Sequence, residues 1–274
     1  LMGHSQLHDM ASLGRVKDVT ELIQAGAERD KSDAYGRTPL HLAAALGHDA
    51  VVRALSRMGA REQNDILGQA PVHLAAHNGR SEVIAVLLEV RADVDARAAG
   101  ARSPLHHAVE GNHPEAIRLL LKLLASPEAV DMQKDTPIKL AVRFGHTSAL
   151  EALIGGKCDL HRRDEEGATA LHFAACKQRL DCMGVLVAKG ARLEACDTHG
   201  FMAIHWAARG GEWEAIERLV GLKANATSRT TLDRQTPLHL ATAAEELSTI
   251  ECLIKVKASI DAQDKRGLTS LHTA

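Results

Sequence analysis

The sequence has 274 residues, and its 33 Lys and Arg nearly balance its 35 Asp and Glu, giving a formal net charge of −2 at pH 7. A chain with no basic excess lacks the electrostatic footprint of a protein that binds DNA, RNA or an anionic membrane. Hydrophobic residues make up 45% of the chain but aromatic residues only 2%, so small aliphatic side chains must build the core. Cofactor and substrate pockets usually have larger apolar walls, and we expect no cofactor and no small-molecule substrate.

A short segment close to Thr-Pro-Leu-His-Leu-Ala-Ala recurs nine times along the chain, at intervals of 32 to 34 residues. The clearest copies begin at Thr38 and Thr236. Degraded copies begin, in chain order, at Ser5, Ala70, Ser103, Thr136, Thr169, Met202 and Thr269. A fixed period of this size predicts a stack of small units, each of which buries its apolar face against its neighbours.

The second copy indicates how one unit is built. Residues 33–36 read Asp-Ala-Tyr-Gly, which is typical of a turn. Thr38 can cap a helix whose first residue is Pro39, because a missing N–H costs nothing at that position. Gly47 suits the left-handed end of that helix, and a second, amphipathic helix follows and ends near Gly59. One unit is therefore predicted as helix, turn, helix and hairpin.

This pattern resembles the ankyrin repeat, and the resemblance covers essentially the whole chain. It implies a β-turn followed by two antiparallel helices in each unit, with hairpin tips that project sideways. We therefore expect an all-α repeat solenoid, a single domain with eight full units and a partial ninth. The expected units are approximately residues 1–32, 33–64, 65–97, 98–130, 131–163, 164–196, 197–230, 231–263 and, in part, 264–274. Because the sequence stops inside the first helix of the ninth unit, we also expect the natural chain to continue past Ala274.

Several copies depart from the pattern at turns. Lys134 and Arg234 stand where a hairpin tip favours Gly, and Gln178 and Glu245 replace the Gly between the two helices. A side chain with a Cβ is strained in the left-handed conformation that these places require. We expect each replacement to cost stability if the backbone conformation is kept.

The fourth unit is the most irregular. Pro114 opens its second helix, and Ser-Pro-Glu at residues 126–128 stands where a Gly-Ala turn is expected. We expect a distorted or shortened hairpin within residues 122–136, with a break in the groove there.

Sixteen His would ordinarily suggest metal binding or acid–base catalysis. Eight of them occupy one place in the repeat, which Lys139 takes in the fifth copy: His8, His41, His73, His106, His172, His205, His239 and His272. We interpret this His as a ring hydrogen-bonded to the backbone of the adjacent turn. Successive copies lie one unit apart and cannot converge on one ion, and the neighbours His106 and His107 face different sides of a helix. The sequence therefore predicts no metal site.

Motifs for catalysis are also missing from the sequence. It contains no Gly-x-Ser-x-Gly, and no Cys has a partner His outside the repeat pattern. Gly-Gly-Lys at residues 155–157 lacks the spacing and the following Ser or Thr of a phosphate loop. We expect no catalytic residue, and the chain is predicted not to be an enzyme.

Cysteine content and hydropathy indicate the surroundings. The five Cys are odd in number and lack CxxC spacing, which favours free thiols. Free thiols are typical of a reducing compartment, so we expect the cytoplasm or the nucleus. No apolar run approaches the length of about 18 residues that spans a membrane, and we expect no membrane insertion.

The surface carries the remaining information. In proteins with ankyrin repeats, partners are usually held by the hairpin tips and the exposed side of the first helices, the concave face. The candidate partner-binding residues that map there are Tyr35, Arg37, Leu46, Ile66, Leu67, His77, Asn78, Arg102, Arg143, Phe144, His199, Phe201, Arg209 and Leu232. Aromatic residues and Arg are common binding hot spots, although each apolar residue could instead pack against a neighbouring hairpin. We hypothesise two contact areas, one around Tyr35, Leu46, Ile66 and Leu67 and the other around Arg143, Phe144, Phe201 and Arg209.

The predicted function is a non-catalytic interaction scaffold that binds a protein or peptide partner on the concave face. One alternative is a regulatory or substrate-recruiting ankyrin region of a larger enzyme, death-domain, kinase or channel protein. Another is an enzyme in its own right, which a melting-temperature shift with a small molecule or metal would favour. Fold alone does not name the partner.

Overall fold

The computed structural model describes residues 4–273 of the chain. Within that range it contains sixteen α-helices in eight successive pairs, and no β-strand is found between residues 4 and 273. The first helices of the pairs are α1 (Gln6–Ser12), α3 (Pro39–Leu46), α5 (Pro71–His77), α7 (Pro104–Glu110), α9 (Pro137–Phe144), α11 (Ala170–Cys176), α13 (Ala203–Arg209) and α15 (Pro237–Ala243). The second helices are α2 (Val16–Gln24), α4 (Asp49–Arg57), α6 (Ser81–Glu89), α8 (Pro114–Lys122), α10 (Thr147–Gly155), α12 (Leu180–Ala188), α14 (Trp213–Gly221) and α16 (Leu247–Lys255). Short 3₁₀ helices lie at Ala99–Ala101 and Ser270–Thr273.

The helix pairs confirm the predicted all-α repeat solenoid. The chain forms two compact units, one reaching to Ala141 and including Glu151–Cys158, the other comprising Val142–Leu150 and the residues from Asp159 onward. Within the first unit the first helices α1, α3, α5 and α7 pack in sequence, and so do the second helices α2, α4, α6 and α8. The second unit repeats this arrangement with α11, α13 and α15 and with α12, α14 and α16.

Alanine allows neighbouring first helices to approach closely. Ala43 and Ala44 in α3, and Ala75 and Ala76 in α5, are completely buried. Larger aliphatic side chains such as Leu55 in α4 are equally buried. Burying a Val or Leu side chain stabilises a fold by roughly 1.5–3 kcal/mol, so a chain with few aromatic residues can still form a stable core.

The hairpin tips are held by backbone hydrogen bonds. In the first tip the Gly36 N–H donates to the Asp33 carbonyl at 3.0 Å, which closes the turn. The Ile66 N–H then donates to the Tyr35 carbonyl at 3.1 Å and joins this tip to the next. Equivalent bonds run from Ala99 to Leu67 and from Met132 to Gly100 in the first unit, and from Thr198 to Glu166, Thr231 to Gly200 and Lys265 to Asp233 in the second.

The hairpin within residues 122–136 is not distorted, so the sequence-based expectation was wrong. Leu124 adopts a left-handed φ of 67°, and the Ala125 N–H closes α8 on the Leu120 carbonyl at 2.9 Å. Ala60 closes α4 in the same way. The Gly-Ala place is therefore taken by Leu124 and Ala125, which directly precede the Ser-Pro-Glu segment that suggested an irregular turn.

The turns that lack Gly keep the left-handed backbone. Lys134 and Arg234 have φ of 59° and 56° at hairpin tips, and Gln178 and Glu245 have φ of 52° and 59° between helices. Non-glycine residues in this conformation are strained by roughly 1–2 kcal/mol. The packing of the repeats therefore imposes a left-handed backbone conformation even on residues that disfavour it.

The recurring His joins its repeat to the following one, except in the fifth repeat, where Lys139 takes its place. His41 is completely buried, and its Nδ1 accepts hydrogen bonds from the Thr38 backbone N–H and hydroxyl at 3.1 and 2.9 Å. Its Nε2–H donates to the Gln69 carbonyl in the following hairpin at 3.0 Å. The same Nε2 bond joins His8 to Arg37, His73 to Ala96, His106 to Asp135, His172 to Phe201, His205 to Ser228 and His239 to Leu268. This confirms the interpretation of a ring bonded to the adjacent turn.

The bridging ring must be neutral to make these bonds, since one nitrogen accepts and the other donates. Burial is the largest influence and lowers the pKa of His8, His41, His73, His106 and His172 below the usual 6.5. For His205, burial lowers the pKa to about 4. The fold therefore selects the uncharged imidazole at neutral pH.

Glycine at position 245 is expected to stabilise the fold. Glu245→Gly removes the strain of a φ of 59°, and we expect the free energy of unfolding to rise by about 1 kcal/mol. Glu251→Gly is the matched control, because Glu251 is exposed within α16 and Gly in a helix interior costs about 1 kcal/mol. Urea denaturation followed by circular dichroism measures both variants. A stability change of the same sign in both would contradict this account.

Acid is expected to destabilise the fold well above the range in which carboxylates titrate. Below about pH 6.5 the unfolded chain takes up protons on His that the folded chain keeps neutral, so stability falls as pH falls. With a pKa of about 4 in the folded state, His205 alone contributes a loss of roughly 3 kcal/mol by pH 4. Urea midpoints at constant ionic strength measure the effect. A midpoint that is unchanged or rises between pH 7 and pH 5 would show that the bridging rings are not held neutral.

Candidate partner-binding surface

The first unit exposes large apolar side chains on what we call the tip surface, meaning the hairpin tips and the exposed side of the first helices. Tyr35 is 59% exposed, Ile66 68% and Leu67 56%. Leu46, at the end of α3, is also exposed. None of these four side chains is buried against a neighbouring hairpin, which was the alternative left open by the sequence.

An Asp at the start of the hairpin fixes the backbone beneath these side chains. The Asp33 Oδ1 accepts the N–H groups of Tyr35 and Arg37, both at 2.9 Å. The Asp65 Oδ1 does the same for Leu67 and Gln69 at 2.8 and 2.9 Å. Asp131, Asp164, Asp197 and Asp264 accept equivalent backbone bonds. Sequence reasoning missed this role, although the recurrence of Asp three residues before the tip Gly was a readable signal.

Arg37 is engaged within its own hairpin. Its Nε and Nη2 donate to the Asp33 Oδ2 at 3.0 and 2.8 Å, and its guanidinium carbon lies 4.9 Å from the centre of the Tyr35 ring. Burial raises the pKa of Asp33, but hydrogen bonds from Arg37 and from the backbone outweigh burial and hold the pKa below its usual value. Arg37 therefore positions Tyr35 and is less available as an independent anchor.

The other first-unit candidates lie further along the same surface. His77 and Asn78 are exposed at the end of α5. Arg102 is half-buried, with its Nη1 3.2 Å from both carboxylate oxygens of Glu110 and its Nε 3.5 Å from the Asp131 Oδ2. The structure thus places Arg102 in an internal ion-pair network.

In the second unit, three candidates line one cavity. His199, Phe201 and Arg209 surround a volume of about 450 Å³ together with Trp206, Cys176 and Glu166. The Trp206 Nε1–H donates to the Asp197 Oδ2 at 2.8 Å, while the Asp197 Oδ1 holds the backbone of His199 and Phe201. The Trp206 ring is half-buried and forms a cavity wall. Trp206 is not among the candidates named from the sequence, although an aromatic residue where the repeat has Leu was a readable signal.

The remaining candidates are more dispersed than the second hypothesised contact area implied. Arg143 lies over the Phe173 ring, 5.4 Å from its centre. Phe144 stacks on His146 with ring centres 5.6 Å apart and lines a separate cavity of about 350 Å³ with Arg179 and Leu180. Leu232 is 55% exposed at a hairpin tip. Phe144 and Phe201 therefore line different cavities.

One group of residues could hold a metal ion within residues 4–273. His77, His107 and Glu110 each offer a ligand atom, and these atoms all lie within 4.8 Å of one another. The sequence-based prediction of no metal site rested on the separation of successive repeat His and on the different faces of His106 and His107 on one helix. It did not consider that α5 packs on α7 and brings His77 beside His107.

Comparison with known proteins agrees with the geometry. A family model described as ankyrin repeats (3 copies) matches residues 7–98, 95–164, 138–230 and 204–274. Among curated proteins, the chain is similar to the transient receptor potential cation channel subfamily A member 1 of Homo sapiens, with 44% identity over 59 residues. That match covers 20% of this chain and 5% of the channel. Between residues 4 and 273, none of the helices has the length and apolar character needed to cross a membrane.

The family model extends over nearly all of the sequence, and the structure supplies the paired helices and projecting hairpins that this family implies. Proteins built from such repeats are generally non-catalytic, and the repeats act as protein–protein interaction modules. The chain belongs to the ankyrin-repeat family.

Proposed function

We propose that this chain is a non-catalytic scaffold that binds a protein or peptide partner through its tip surface. The observation that carries the proposal is the row of exposed apolar side chains on adjacent tips, Tyr35, Ile66 and Leu67. Contiguous apolar surface on a folded domain commonly marks an interaction site. The partner is expected to present a complementary apolar segment.

The rigidity of the tips supports this proposal. Backbone hydrogen bonds to Asp33 and Asp65, and the bond between Ile66 and Tyr35, fix the tips before a partner arrives. A preorganised surface loses less conformational entropy on binding, so more of the contact energy appears as affinity. Tyr35 adds an aromatic ring steadied by Arg37, which is a common type of hot spot.

The cavity at Phe201 in the second unit is proposed as an additional contact point. Phe201 and Trp206 provide aromatic walls, and the exposed Arg209 and Glu166 add charge of both signs. Such a cavity suits one apolar side chain with polar groups beside it.

The hydrogen bonds of the recurring His favour a non-catalytic role. Both ring nitrogens of residues such as His41 and His172 are committed to structural hydrogen bonds. A general acid or base must be able to exchange its proton with a substrate. The recurring His, which are the most numerous candidates for a general acid or base, are therefore engaged in structural hydrogen bonds.

The second candidate function is a regulatory or recruiting region of a larger protein, as in a channel. The observation that favours it is the 44% identity over 59 residues to a human cation channel. We further propose a reducing compartment, the cytoplasm or the nucleus, supported by the free thiols of Cys158, Cys176, Cys182, Cys196 and Cys252.

Removing two tip side chains is expected to weaken binding without unfolding the protein. Tyr35→Ala combined with Leu67→Ala deletes two exposed anchors, and we expect partner affinity to fall at least about tenfold. The free energy of unfolding should change by less than about 0.5 kcal/mol, because both side chains are on the surface. The immobilised wild-type chain is first used to capture partners from cell extract. The affinity of each purified partner for the wild type and the variant is then measured by calorimetric titration.

The matched control is Leu247→Ala, which removes a side chain that is 74% exposed on a second helix, away from the tips. It should leave affinity unchanged. A large drop in melting temperature in the double variant would mean that Tyr35 and Leu67 support the fold. Unchanged affinity with unchanged stability would show that the partner uses another surface.

A further inference from the structure

We propose that His77, His107 and Glu110 form a binding site for a divalent transition-metal ion, with Zn²⁺ as the best match. Two imidazoles and one carboxylate are a recognised zinc ligand set, with the fourth position open to water or another ligand. Neutral nitrogen donors favour zinc and its neighbours over Mg²⁺ or Ca²⁺. The site lies apart from the apolar row of Tyr35, Ile66 and Leu67 and does not depend on the function proposed for it.

His107 carries the argument, because its buried ring leaves the Nε2 atom without a hydrogen bond among the described residues. Only 6% of the residue is exposed, and its Nε2 is buried without a hydrogen-bond partner in the described part of the chain. The bridging His73, one repeat earlier and in contact with His107, has both nitrogens bonded to backbone. An unsatisfied buried polar group costs roughly 1–3 kcal/mol of folding free energy. The repeat does not require this His, so binding a ligand is a reason for its presence.

The geometry brings two further ligands to this ring. His107 and Glu110 are three residues apart on α7 and therefore share a face of the helix, with the His107 Nδ1 4.0 Å from the Glu110 Oε2. His77 comes from α5, which packs on α7, and its ring centre lies 6.2 Å from that of His107. The potential ligand atoms are within 4.8 Å of one another, so small side-chain rotations bring them around one ion.

The buried ring is accessible to an ion from solvent. His77 is exposed at the end of α5 and gives an ion a route to the ring of His107.

The Arg102 guanidinium competes with a metal ion for the Glu110 carboxylate. Its Nη1 lies 3.2 Å from both oxygens of Glu110, so a cation must displace it. The displaced guanidinium has a second partner, because the Asp131 Oδ2 is buried without a hydrogen bond and lies 3.5 Å from the Arg102 Nε. Arg102 can thus turn from Glu110 to Asp131 when a metal ion binds.

Calorimetric titration of the full chain with Zn²⁺ alone, after removal of metal by a chelator, tests the proposal. We expect one ion per chain. His77→Ala should weaken binding at least about tenfold, in line with the effect of losing even an outer-shell partner. Glu110→Gln should also weaken it, and Arg102→Gln should tighten it, because the competing cation is gone. Unfolding curves confirm that each variant is folded, and the exposed His77 keeps the test valid if His107 variants fail to fold.

His199→Ala is the matched control, since His199 is an exposed His on a hairpin tip of the second unit. It should bind Zn²⁺ as the wild type does, and alkylation of the cysteines should leave the affinity unchanged. The proposal is overturned if no ion binds, if His77→Ala binds as tightly as the wild type, or if alkylation abolishes binding. Weaker binding by Arg102→Gln would likewise contradict the competitive arrangement.

Discussion

A buried, neutral imidazole that joins one repeat to the next is the interaction on which the rest of this structure depends. Its Nδ1 accepts the backbone N–H at the start of a first helix, where a donor would otherwise be unpaired. Its Nε2–H then satisfies a carbonyl of the following hairpin, as in the bond from His41 to Gln69. One side chain therefore caps a helix and sets the position of the neighbouring hairpin. Because the bond recurs within each compact unit, small helices that would be unstable alone are organised into a shared core there.

The same interaction connects the fold to binding. Once a hairpin is anchored at its base, the Asp at its start fixes the tip, as Asp33 does beneath Tyr35. Exposed tip side chains such as Ile66 are then available for contact with a partner. This division explains how buried His and Ala can follow the repeat strictly while Tyr35, Ile66 and Leu67 remain exposed. It also explains why His107, which the repeat does not require, stands out.

Much of the fold could be predicted from the sequence, because the repeat places the same chemistry at the same positions. The paired helices and the bonding of the recurring His to the adjacent turn were both readable from one copy of the segment. Left-handed backbone at Glu245 followed from its alignment with Gly47. The hairpin after α8 was mispredicted because Leu124 accepts a left-handed φ that its side chain disfavours. Local propensity argued against that conformation, and the surrounding packing imposed it.

The candidate site was less predictable, since it depends on contacts between elements distant in sequence. The sequence placed Tyr35 and Leu67 on the hairpin tips but left open whether they are exposed or packed against a neighbouring hairpin, and the structure has them exposed. The cavity wall formed by Trp206 required knowledge of its bond to Asp197. The proximity of His77 and His107 depends on how α5 packs on α7, which no spacing along one helix reveals. Likewise, the division of Phe144 and Phe201 between two cavities depends on side-chain direction rather than on repeat position.

The protonation state of the bridging imidazoles is the most direct test of this account. Two-bond ¹H–¹⁵N correlation spectra at neutral pH distinguish the two neutral tautomers of each His from the charged form. The account predicts that His41, His73 and His172 each carry their proton on Nε2 and leave Nδ1 as an acceptor. A proton on Nδ1, or a charged ring, at these positions would contradict the interaction that holds successive repeats together.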